Sequence, residues 1–298
     1  MDLTKIEEIK RIALIAMFSD DDLMNALVLK GGNALDLIYK VDSRSSLDLD
    51  FSIEGQHTAE ELQRFEEKII RALKSTFEER GFAAFDIQFT SRPDTISPDM
   101  APFWGGYRVV FKILESSVFA RLAGQLDQAR KQAQVFTATQ GKTFIIDISK
   151  LEYCQTKRYE DLDGFRIYVY TPEMIAIEKL RAICQQMAEY GTIVRNPSRA
   201  PRAQDFYDFH IVLEHFQIKL STSDNLELAK CIFAAKRVPL SFVELIPNYR
   251  EYHRSDFDKV ITTVRPAVKL RDYDFYFDYM VRRALALKPL WVKEPPGL

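Results

Sequence analysis

The sequence predicts an α+β protein that combines strands and helices in its N-terminal part and is mainly helical in its C-terminal part. Short apolar runs rich in β-branched and aromatic residues, typical of strands, occur at 27–30, 47–53, 85–89, 107–114, 143–149 and 162–170. Beyond Thr171-Pro172 the composition favours helices, because threonine caps a helix and proline suits its first position. Since 298 residues exceed the usual size of one domain, we expect two, over 1–170 and 171–298.

Composition and charge exclude several classes of protein. With 47% hydrophobic residues the chain can bury a sizeable core, and its net charge of −2 argues against a uniformly basic nucleic-acid binder. The apolar run at 12–18 is shorter than the roughly 20 residues of a membrane helix, so we expect no membrane segment. The three cysteines lie far apart without a C-x-x-C pair, which is typical of a reducing cytosol, and we expect a cytoplasmic protein.

Helical periodicity and capping residues predict three helices in the N-terminal part. Apolar residues recur at helical spacing over residues 2–18. A second helix is expected at 33–40, directly after the first strand. Thr58 and Glu61 form a capping box that opens the third helix, and Gly81 ends it.

Two adjacent glycines stand between the first strand and the second helix. Without Cβ atoms, Gly31 and Gly32 let backbone N–H groups approach a phosphate closely. The helix that opens at Asn33 adds the positive end of its dipole, and Lys30 adds a cation just before the glycines. This stretch therefore predicts a phosphate-binding turn.

Three carboxylates on two strands are candidates for holding a metal ion. Asp48 and Asp50 occupy alternate positions, so we expect both side chains on the same face of their strand. Neighbouring carboxylates repel unless a cation lies between them, and their oxygens suit Mg²⁺. Asp147 interrupts an otherwise apolar strand, where an ionised group is costly to bury alone. We predict that sheet pairing brings Asp147 beside the other two; the alternative is an edge strand with Asp147 facing solvent.

Lys179 stands in an apolar row of the helix that begins at Pro172. Ile175, Lys179 and Ile183 recur at i, i+4 spacing. One interpretation is a lysine that extends its head group to water past apolar neighbours. The other is a helix packed between the two domains with Lys179 directed at the oxygens of a triphosphate.

A basic loop and two carboxylates follow this helix. Arg199 and Arg202 lie in a proline-containing stretch, and Asp205 and Asp208 share one face of the next helix. Asp205 can act as an acidic residue at the helix N-terminus. Alternatively, Asp205 pairs with Lys179 or Arg202 around a binding site.

The segment 236–293 combines basic and aromatic residues. It holds twelve Lys or Arg against seven Asp or Glu, and these are interleaved with aromatic residues such as Tyr249, Tyr273, Phe277 and Tyr279. A nucleic-acid surface would use this mixture for phosphate attraction and base stacking. The alternative is a solvated charged face over aromatic residues that fill the core.

These motifs resemble the nucleotidyltransferase superfamily typified by polymerase β, which carries a Gly-Gly turn after a strand, Asp-x-Asp on the next strand and a single carboxylate on a later one. More narrowly, the chain resembles the AbiEii family, the toxin component of type IV toxin–antitoxin and abortive-infection systems. The matching segments are 29–35, Arg44-x-Ser46-x-Asp48-x-Asp50, 172–182 and Arg202-x-x-Asp205-x-x-Asp208. Family members usually carry threonine or serine where this chain has Asn33, which alters the phosphate-binding turn.

The resemblance implies a polymerase β-like domain, a mixed sheet with flanking helices, followed by a mainly helical domain that completes the nucleotide site and binds the acceptor. It implies transfer of a nucleoside monophosphate from an NTP to an acceptor hydroxyl, with release of pyrophosphate and dependence on Mg²⁺ or Mn²⁺. Asp48, Asp50 and Asp147 would then be the catalytic metal ligands, with Asp147 holding a second ion or acting as a base. Lys179 would meet the charge on the leaving pyrophosphate. The nucleotide-binding residues would be Lys30, Gly31, Gly32, Asn33, Arg44, Ser46, Lys179, Arg202 and Asp205.

Three functions stay open at this point. The first is a toxin that acts on RNA, with tRNA as the expected acceptor, and that a cognate antitoxin neutralises. The second keeps the chemistry but modifies a hydroxyl of a protein or of a small molecule such as an aminoglycoside, which the near-neutral charge favours. The third is a nucleotide-binding module without turnover in a partner complex, which Asn33 in the phosphate-binding turn favours.

Overall fold

The computed structural model describes residues 3–41, 47–136, 141–195, 197, 199–265 and 268–291. The chain forms two compact units: one contains Met1–Ile38 and Ser46–Val169, and the other contains Tyr39–Ser45 and Tyr170–Leu298. The division near residue 170 follows the change from strands to helices along the chain. The short segment Tyr39–Ser45 belongs to the second unit, although it lies within the N-terminal part of the sequence.

The first unit combines a mixed sheet with helices, and the α+β class that the sequence predicts is confirmed. Its strands are β1 (Val28–Lys30), β2 (Leu49–Ser52), β3 (Phe82–Arg92), β4 (Gly106–Glu115), β5 (Phe144–Ser149), β6 (Arg158–Leu162) and β7 (Phe165–Val169). Its helices are α1 (Leu3–Phe18), α2 (Asp21–Ala26), α3 (Gly31–Asn33) with a π-helix at Ala34–Ile38, α4 (Ala59–Glu79), α5 (Ser116–Arg121) and α6 (Leu126–Gln132). Within the described residues the sheet has 7 strands in the order β3-β4-β5-β2-β1-β7-β6. The β2–β5 and β1–β7 pairs are parallel, and the other neighbours are antiparallel.

One face of the sheet is apolar because every second residue of its central strands is apolar. Leu29, Phe51, Ile148 and Tyr107 lie in one register across β1, β2, β5 and β4, and none is more than 5% exposed. Helix α1 covers this face, and the ring centroid of Phe18 lies 5.9 Å from that of Phe51. Because a register shift of one residue would turn these side chains to the other face, their burial specifies the pairing of the strands.

The opposite face carries a row of charged side chains, each adjacent in sequence to one of these apolar residues. Lys30, Asp50, Asp147 and Arg108 lie in one register across β1, β2, β5 and β4. Residues that oppose each other in paired strands share a face, so the four side chains are neighbours. The apolar face therefore anchors the sheet while the polar face presents two cations and two carboxylates at its centre.

The second helix of the chain differs from the prediction. It begins at Gly31 rather than at Asn33, and it continues as a π-helix over Ala34–Ile38 instead of an α-helix to residue 40. Lys40 has a φ of 53°, which ends the helical backbone. The apolar pattern in this segment predicts helical character, but it does not distinguish an α-helix from the wider π-helix.

The strand predicted at 162–170 is also wrong as a single element. The chain forms a hairpin in which β6 and β7 pair antiparallel, and Leu162 lies opposite Phe165. Asp163 and Gly164 connect them with φ values of 54° and 83°. Positive φ at both central residues is the requirement of a type I′ turn, and Asp-Gly is a preferred sequence for it. This dipeptide was the local signal that would have identified the hairpin.

The helix ends predicted from capping residues are confirmed. The Thr58 hydroxyl accepts a hydrogen bond from the backbone N–H of Glu61 at 3.2 Å, and the Glu61 carboxylate accepts one from the backbone N–H of Thr58 at 2.8 Å. Gly81, with a φ of 80°, follows the end of α4. At the start of the second unit, Thr171 caps the next helix and Pro172 is its first residue.

The second unit is helical in the described ranges. Its elements are α7 (Pro172–Cys184), a 3₁₀-helix at Ala188–Thr192, α8 (Ala203–His215), α9 (Ser223–Ala235), a 3₁₀-helix at Leu240–Tyr249, α10 (Arg250–Arg254), α11 (Phe257–Thr263), α12 (Tyr273–Ala284) and a 3₁₀-helix at Leu285–Leu290. In the part of the chain that the structure describes, every helix is too short or too polar to cross a membrane.

The basic and aromatic residues of the C-terminal segment form a core with ion pairs around it. Tyr273, Phe277 and Tyr279 are 2%, 0% and 5% exposed, so these rings cannot stack on bases. Arg250 Nη1 lies 2.7 Å from Asp274 Oδ1, so this basic side chain is paired within the unit. The stacking interpretation is wrong for these rings, and the alternative, that the aromatic residues fill the core, is confirmed.

Candidate active site

Gly31 begins the turn that the sequence predicts to bind phosphate. Its φ of 70° lies in the left-handed region that favours glycine. A Cβ at this position would lie 2.9 Å from Asp50 Oδ2, closer than side-chain contacts allow. Gly32 follows as a buried residue of α3. Glycine is therefore needed at position 31 for the backbone conformation and for the close approach of the Asp50 carboxylate.

Asn33 is fully buried and joins the glycine turn to the carboxylate segment. Its Nδ2 donates a hydrogen bond of 2.6 Å to the backbone oxygen of Asp48. Because a carbonyl oxygen only accepts, this contact places the amide nitrogen, not the amide oxygen, on the side of Asp48. Oδ1 is then buried without a hydrogen-bond partner among the described residues. We expected Asn33 to bind the nucleotide. In the structure, one N–H of its amide is used to hold Asp48 instead.

Lys30 is a buried cation rather than a surface one. Its side chain donates a hydrogen bond of 3.1 Å to Ser149 Oγ and lies 3.6 Å from Glu152 Oε1, and the residue is 7% exposed. A lysine is rarely buried without such partners, because its charge is costly to desolvate. The predicted role of Lys30 in nucleotide binding stays a prediction, and its visible role is to link β1 to the end of β5.

The carboxylates of Asp48 and Asp147 lie near enough to affect each other. Asp48 lies just before β2, which begins at Leu49 rather than at residue 47, and its side chain is half-buried. Burial raises the pKa of Asp48, the negative charge of Asp147 raises it further, and the Arg108 cation opposes both. Asp50 lies directly opposite Asp147 in the parallel pair of β2 and β5. Sheet pairing thus brings Asp147 into this neighbourhood, and its side chain is about one-third exposed.

Arg108 is a residue of this site that the sequence analysis missed. Its Nε donates to Asp147 Oδ1 at 2.7 Å and its Nη2 donates to Asp147 Oδ2 at 2.8 Å. These two hydrogen bonds raise the pKa of Arg108, and the negative charges of Asp48 and Asp50 raise it further. The signal was the alternation in strand 107–114, where Arg108 and Lys112 occupy the face opposite to the apolar residues.

The residues present at the site fit a divalent ion. Asp48 and Asp50 offer hard oxygen ligands, and Mg²⁺ is usually held by one or two carboxylates together with substrate phosphates. Gly31 leaves clear the space in front of Asp50 that a Cβ would enter. In the described ranges, no three His, Cys, Asp or Glu side chains form a cluster that could hold a metal ion. The assignment of Asp48, Asp50 and Asp147 as metal ligands stays a prediction.

A buried ion pair supports the π-helix behind the glycine turn. Lys10 of α1 is 0% exposed, and its Nζ lies 3.0 Å from Asp36 Oδ2. Asp36 lies in the π-helix that directly follows α3. The pair therefore ties α1 to the segment that carries Gly31 and Gly32. Sequence reasoning missed Lys10, although a lysine among the apolar residues of α1 was a visible signal.

The second unit contains a buried cluster around Lys179. The ammonium group lies 3.0 Å from Asp205 Oδ1 and 2.6 Å from Asp208 Oδ2. Lys179 is 4% exposed, so the interpretation that its head group extends to water is wrong. Arg202 Nε also donates to Asp205. The pairing of Asp205 with both cations is confirmed, and the predicted contact of Lys179, Arg202 and Asp205 with a nucleotide stays a prediction.

His253 completes this cluster and was not singled out in the sequence. Its Nδ1 accepts a hydrogen bond of 3.1 Å from the backbone N–H of Arg202, and Nε2 is buried without a hydrogen-bond partner among the described residues. Burial lowers the pKa of His253 to about 4, because it outweighs the opposing effect of the Asp205 charge. A neutral imidazole therefore supports the start of α8.

Two predicted nucleotide-binding residues, Arg44 and Ser46, lie outside the described residues. They belong to the predicted site through the segment Arg44-x-Ser46-x-Asp48-x-Asp50, which resembles the AbiEii family.

Comparison with known proteins identifies a family. A protein-family model described as "Nucleotidyl transferase AbiEii toxin, Type IV TA system" matches residues 12–281, which is most of the chain. No curated protein matches the chain.

Comparison with solved structures also gives matches to this chain, among them the following two. The crystal structure of JHP933 from Helicobacter pylori shares 16% sequence identity, covers 96% of this chain and 92% of that chain, and has a TM-score of 0.46. An antigenic nucleotidyltransferase-like protein from Paracoccidioides brasiliensis shares 11% identity, covers 85% of this chain and 91% of that chain, and has a TM-score of 0.37.

Proposed function

The chain belongs to the AbiEii family of nucleotidyltransferase toxins of type IV toxin–antitoxin systems, and we propose that it transfers a nucleoside monophosphate from an NTP to a hydroxyl of RNA in a reaction that depends on Mg²⁺ or Mn²⁺. Family membership supports the transferase activity. The metal dependence and the RNA acceptor, with tRNA as the expected class, are our proposals.

The observation that carries this proposal is the contact between the glycine turn and Asp50. Gly31 lies so close to the Asp50 carboxylate that only a residue without a Cβ fits between the backbone and Oδ2. A polyphosphate approaching the backbone N–H groups of this turn would therefore meet a carboxylate at once, and the two would repel each other. Asp48 and Asp50 would hold a divalent ion here, and its positive charge would offset this repulsion.

The residues of the site then have distinct tasks. Asp48 and Asp50 would hold the ion, which would supply positive charge against the triphosphate and the departing pyrophosphate. The backbone at Gly31 and Gly32 holds phosphate oxygens. Asn33 keeps the backbone of Asp48 in place through its hydrogen bond to the Asp48 oxygen. Because transfer depends chiefly on positioning, such fixed geometry is what the reaction requires.

A labelling experiment tests the transfer. The protein is incubated with labelled nucleotides, Mg²⁺ and total RNA, and the products are separated into RNA, protein and small molecules. We expect label in RNA, loss of this label with Asp48→Ala, and full labelling with the control Asp94→Ala, which removes an exposed carboxylate from a loop. Label found only in protein or only in a small molecule would show that this class, and not RNA, is the acceptor. Equal labelling by Asp48→Ala would refute the assignment of the site.

We also propose that a cognate antitoxin neutralises the protein, since the family functions as the toxin of a two-component system. We expect cells that express the protein alone to stop growing, and cells that co-express it with the product of a neighbouring gene to grow normally. Growth arrest that persists with every neighbouring gene product would contradict this part of the proposal.

A second candidate function is nucleotide binding without transfer. The observation that favours it is Asn33, whose amide donates to the backbone of Asp48 where the family usually has a hydroxyl residue. Tight nucleotide binding without release of pyrophosphate would support this candidate, and rapid pyrophosphate release in the presence of RNA would exclude it.

A further inference from the structure

Arg108 and Asp147 form a bidentate ion pair in the charged row of the first unit. Both oxygens of the carboxylate accept hydrogen bonds from one guanidinium, at 2.7 and 2.8 Å. The two side chains are 33% and 32% exposed, so the pair is neither buried nor fully solvated. Bidentate pairs of this kind are the strong and geometrically specific ones, and the guanidinium keeps its charge at any physiological pH.

The position of this pair in the sheet places a fixed cation beside the candidate metal ligands. Asp147 stands between Arg108 and Asp50 in the register of β4, β5 and β2. The charged row therefore places Asp50 and Asp147 between two cations of the chain, Lys30 and Arg108.

This arrangement leaves little opportunity for a second divalent ion at Asp147. Such an ion would have to displace the guanidinium from both oxygens, or share the carboxylate with it at close range. Two cations on one carboxylate repel each other, and a displaced arginine would remain next to the ion because β4 and β5 are paired. The structure therefore favours a site in which Asp147 binds arginine and not metal.

We propose that Arg108, oriented by Asp147, takes the place of a second metal ion and binds a phosphate oxygen of the nucleotide, while a single divalent ion binds at Asp48 and Asp50. The inference rests on the function proposed above and specifies how that site binds its substrate. Nε and Nη2 are used by Asp147, and the remaining N–H groups of the guanidinium are the donors for phosphate. Asp147 is then a positioning residue and Arg108 a substrate-binding one.

The count of bound ions distinguishes this arrangement from a two-metal site. Electron paramagnetic resonance measures Mn²⁺ bound per molecule of a non-hydrolysable NTP analogue on the protein. We expect one ion per bound nucleotide in the wild type. A ratio of two, reduced to one by Asp147→Asn, would overturn the proposal.

The affinity for the nucleotide tests the role of Arg108 directly. Arg108→Ala should raise the Kd for the same analogue about 10- to 100-fold, because a hydrogen bond to a charged group is lost. Lys112→Ala is the matched control, since Lys112 lies on the same strand and face but donates to Thr143. An unchanged Kd for Arg108→Ala in a folded protein would show that the Arg108–Asp147 pair has only a structural role across the strands.

Thermal unfolding shows whether each variant is folded, and two further variants distinguish failure of the inference about Arg108 from failure of the proposed function. If Arg108→Ala does not fold, Arg108→Gln provides the same comparison, because glutamine can still donate a hydrogen bond to Asp147. Asp48→Asn should abolish Mn²⁺ binding under the proposed function. Failure of the wild-type protein to bind both nucleotide and Mn²⁺ would refute that function, whereas two ions per nucleotide would refute the inference about Arg108 alone.

Discussion

Lys179 Nζ lies 2.6 Å from Asp208 Oδ2, and the two side chains are 5% and 1% exposed. A second carboxylate, Asp205, lies 3.0 Å from the same nitrogen. Lys179 thus compensates Asp208 and, together with Arg202, Asp205 at the contact between α7 and α8. Because water cannot replace either partner, the stability of the second unit should depend strongly on this lysine.

We expect Lys179→Met to lower the free energy of unfolding by about 3–5 kcal/mol, because it removes the lysine cation from the buried Asp208 and leaves Asp205 with Arg202 only in part compensated. Urea unfolding followed by circular dichroism at neutral pH measures this change. Lys230→Met is the matched control, since Lys230 pairs with Glu227 on the surface of α9, where both side chains are more than half exposed. The control should lose less than about 1 kcal/mol, and equal losses in the two variants would contradict the prediction.

The buried imidazole of His253 should make stability depend on pH. Its pKa falls to about 4 in the folded protein because of burial, against about 6.5 in the unfolded chain. Between these values the unfolded state binds a proton that the folded state does not, so stability rises with pH in this window and is lost as pH falls from 6.5 to 4. The protonation of His253 should therefore lower the free energy of unfolding by about 3 kcal/mol between pH 6.5 and pH 4.

Replacement of His253 by glutamine separates this effect from other titrations. Glutamine can still accept the hydrogen bond from the backbone N–H of Arg202, but it does not titrate. We expect the slope of unfolding free energy between pH 4 and 6.5 to become much flatter in His253→Gln. His210→Gln is the comparison, because burial also lowers the pKa of His210. An unchanged slope in His253→Gln would show that the histidine is not the source.

Asp48 should illustrate a conflict between stability and function. Burial and the charge of Asp147 raise its pKa, so the ionised Asp48 destabilises the folded protein at neutral pH when no cation is bound. We expect Asp48→Asn to raise the free energy of unfolding by about 0.5–2 kcal/mol in the presence of a metal chelator. The same variant should lose nucleotide transfer. Thermal unfolding with and without chelator measures the first effect, and a less stable Asp48→Asn protein would contradict it.

Gly31 and Gly55 form a matched pair for the glycine turn. Their φ values are 70° and 72°, but only a Cβ at Gly31 would meet Asp50, since nothing lies within 4 Å of a Cβ at Gly55. Alanine at Gly55 should cost about 1–2 kcal/mol of stability, because the left-handed conformation is unfavourable for it, and alanine at Gly31 should cost more because its Cβ also meets Asp50. Only Gly31→Ala should also weaken Mn²⁺ binding. Equal Mn²⁺ affinity in both variants would show that the close approach of Asp50 to Gly31 does not matter for ion binding.

The sequence by itself determined the features that depend on local backbone requirements. The capping residues Thr58 and Thr171 identified where helices begin, because their hydroxyls satisfy N–H groups only a few residues away. The Gly-Gly turn and the Asp-x-Asp spacing were equally visible, because each needs particular residue types at adjacent or alternate positions. Together they indicated the family that the comparison identifies.

Only the tertiary structure decided which charged groups are partners. Arg108 and Asp147 are separated by 39 residues, and strand register alone places them opposite each other. Lys179 meets Asp205 because α7 and α8 pack together, and the aromatic residues of the C-terminal segment are buried by the same kind of packing. Periodicity shows which face of a strand or helix a residue occupies, but it carries no information about which element will cover that face.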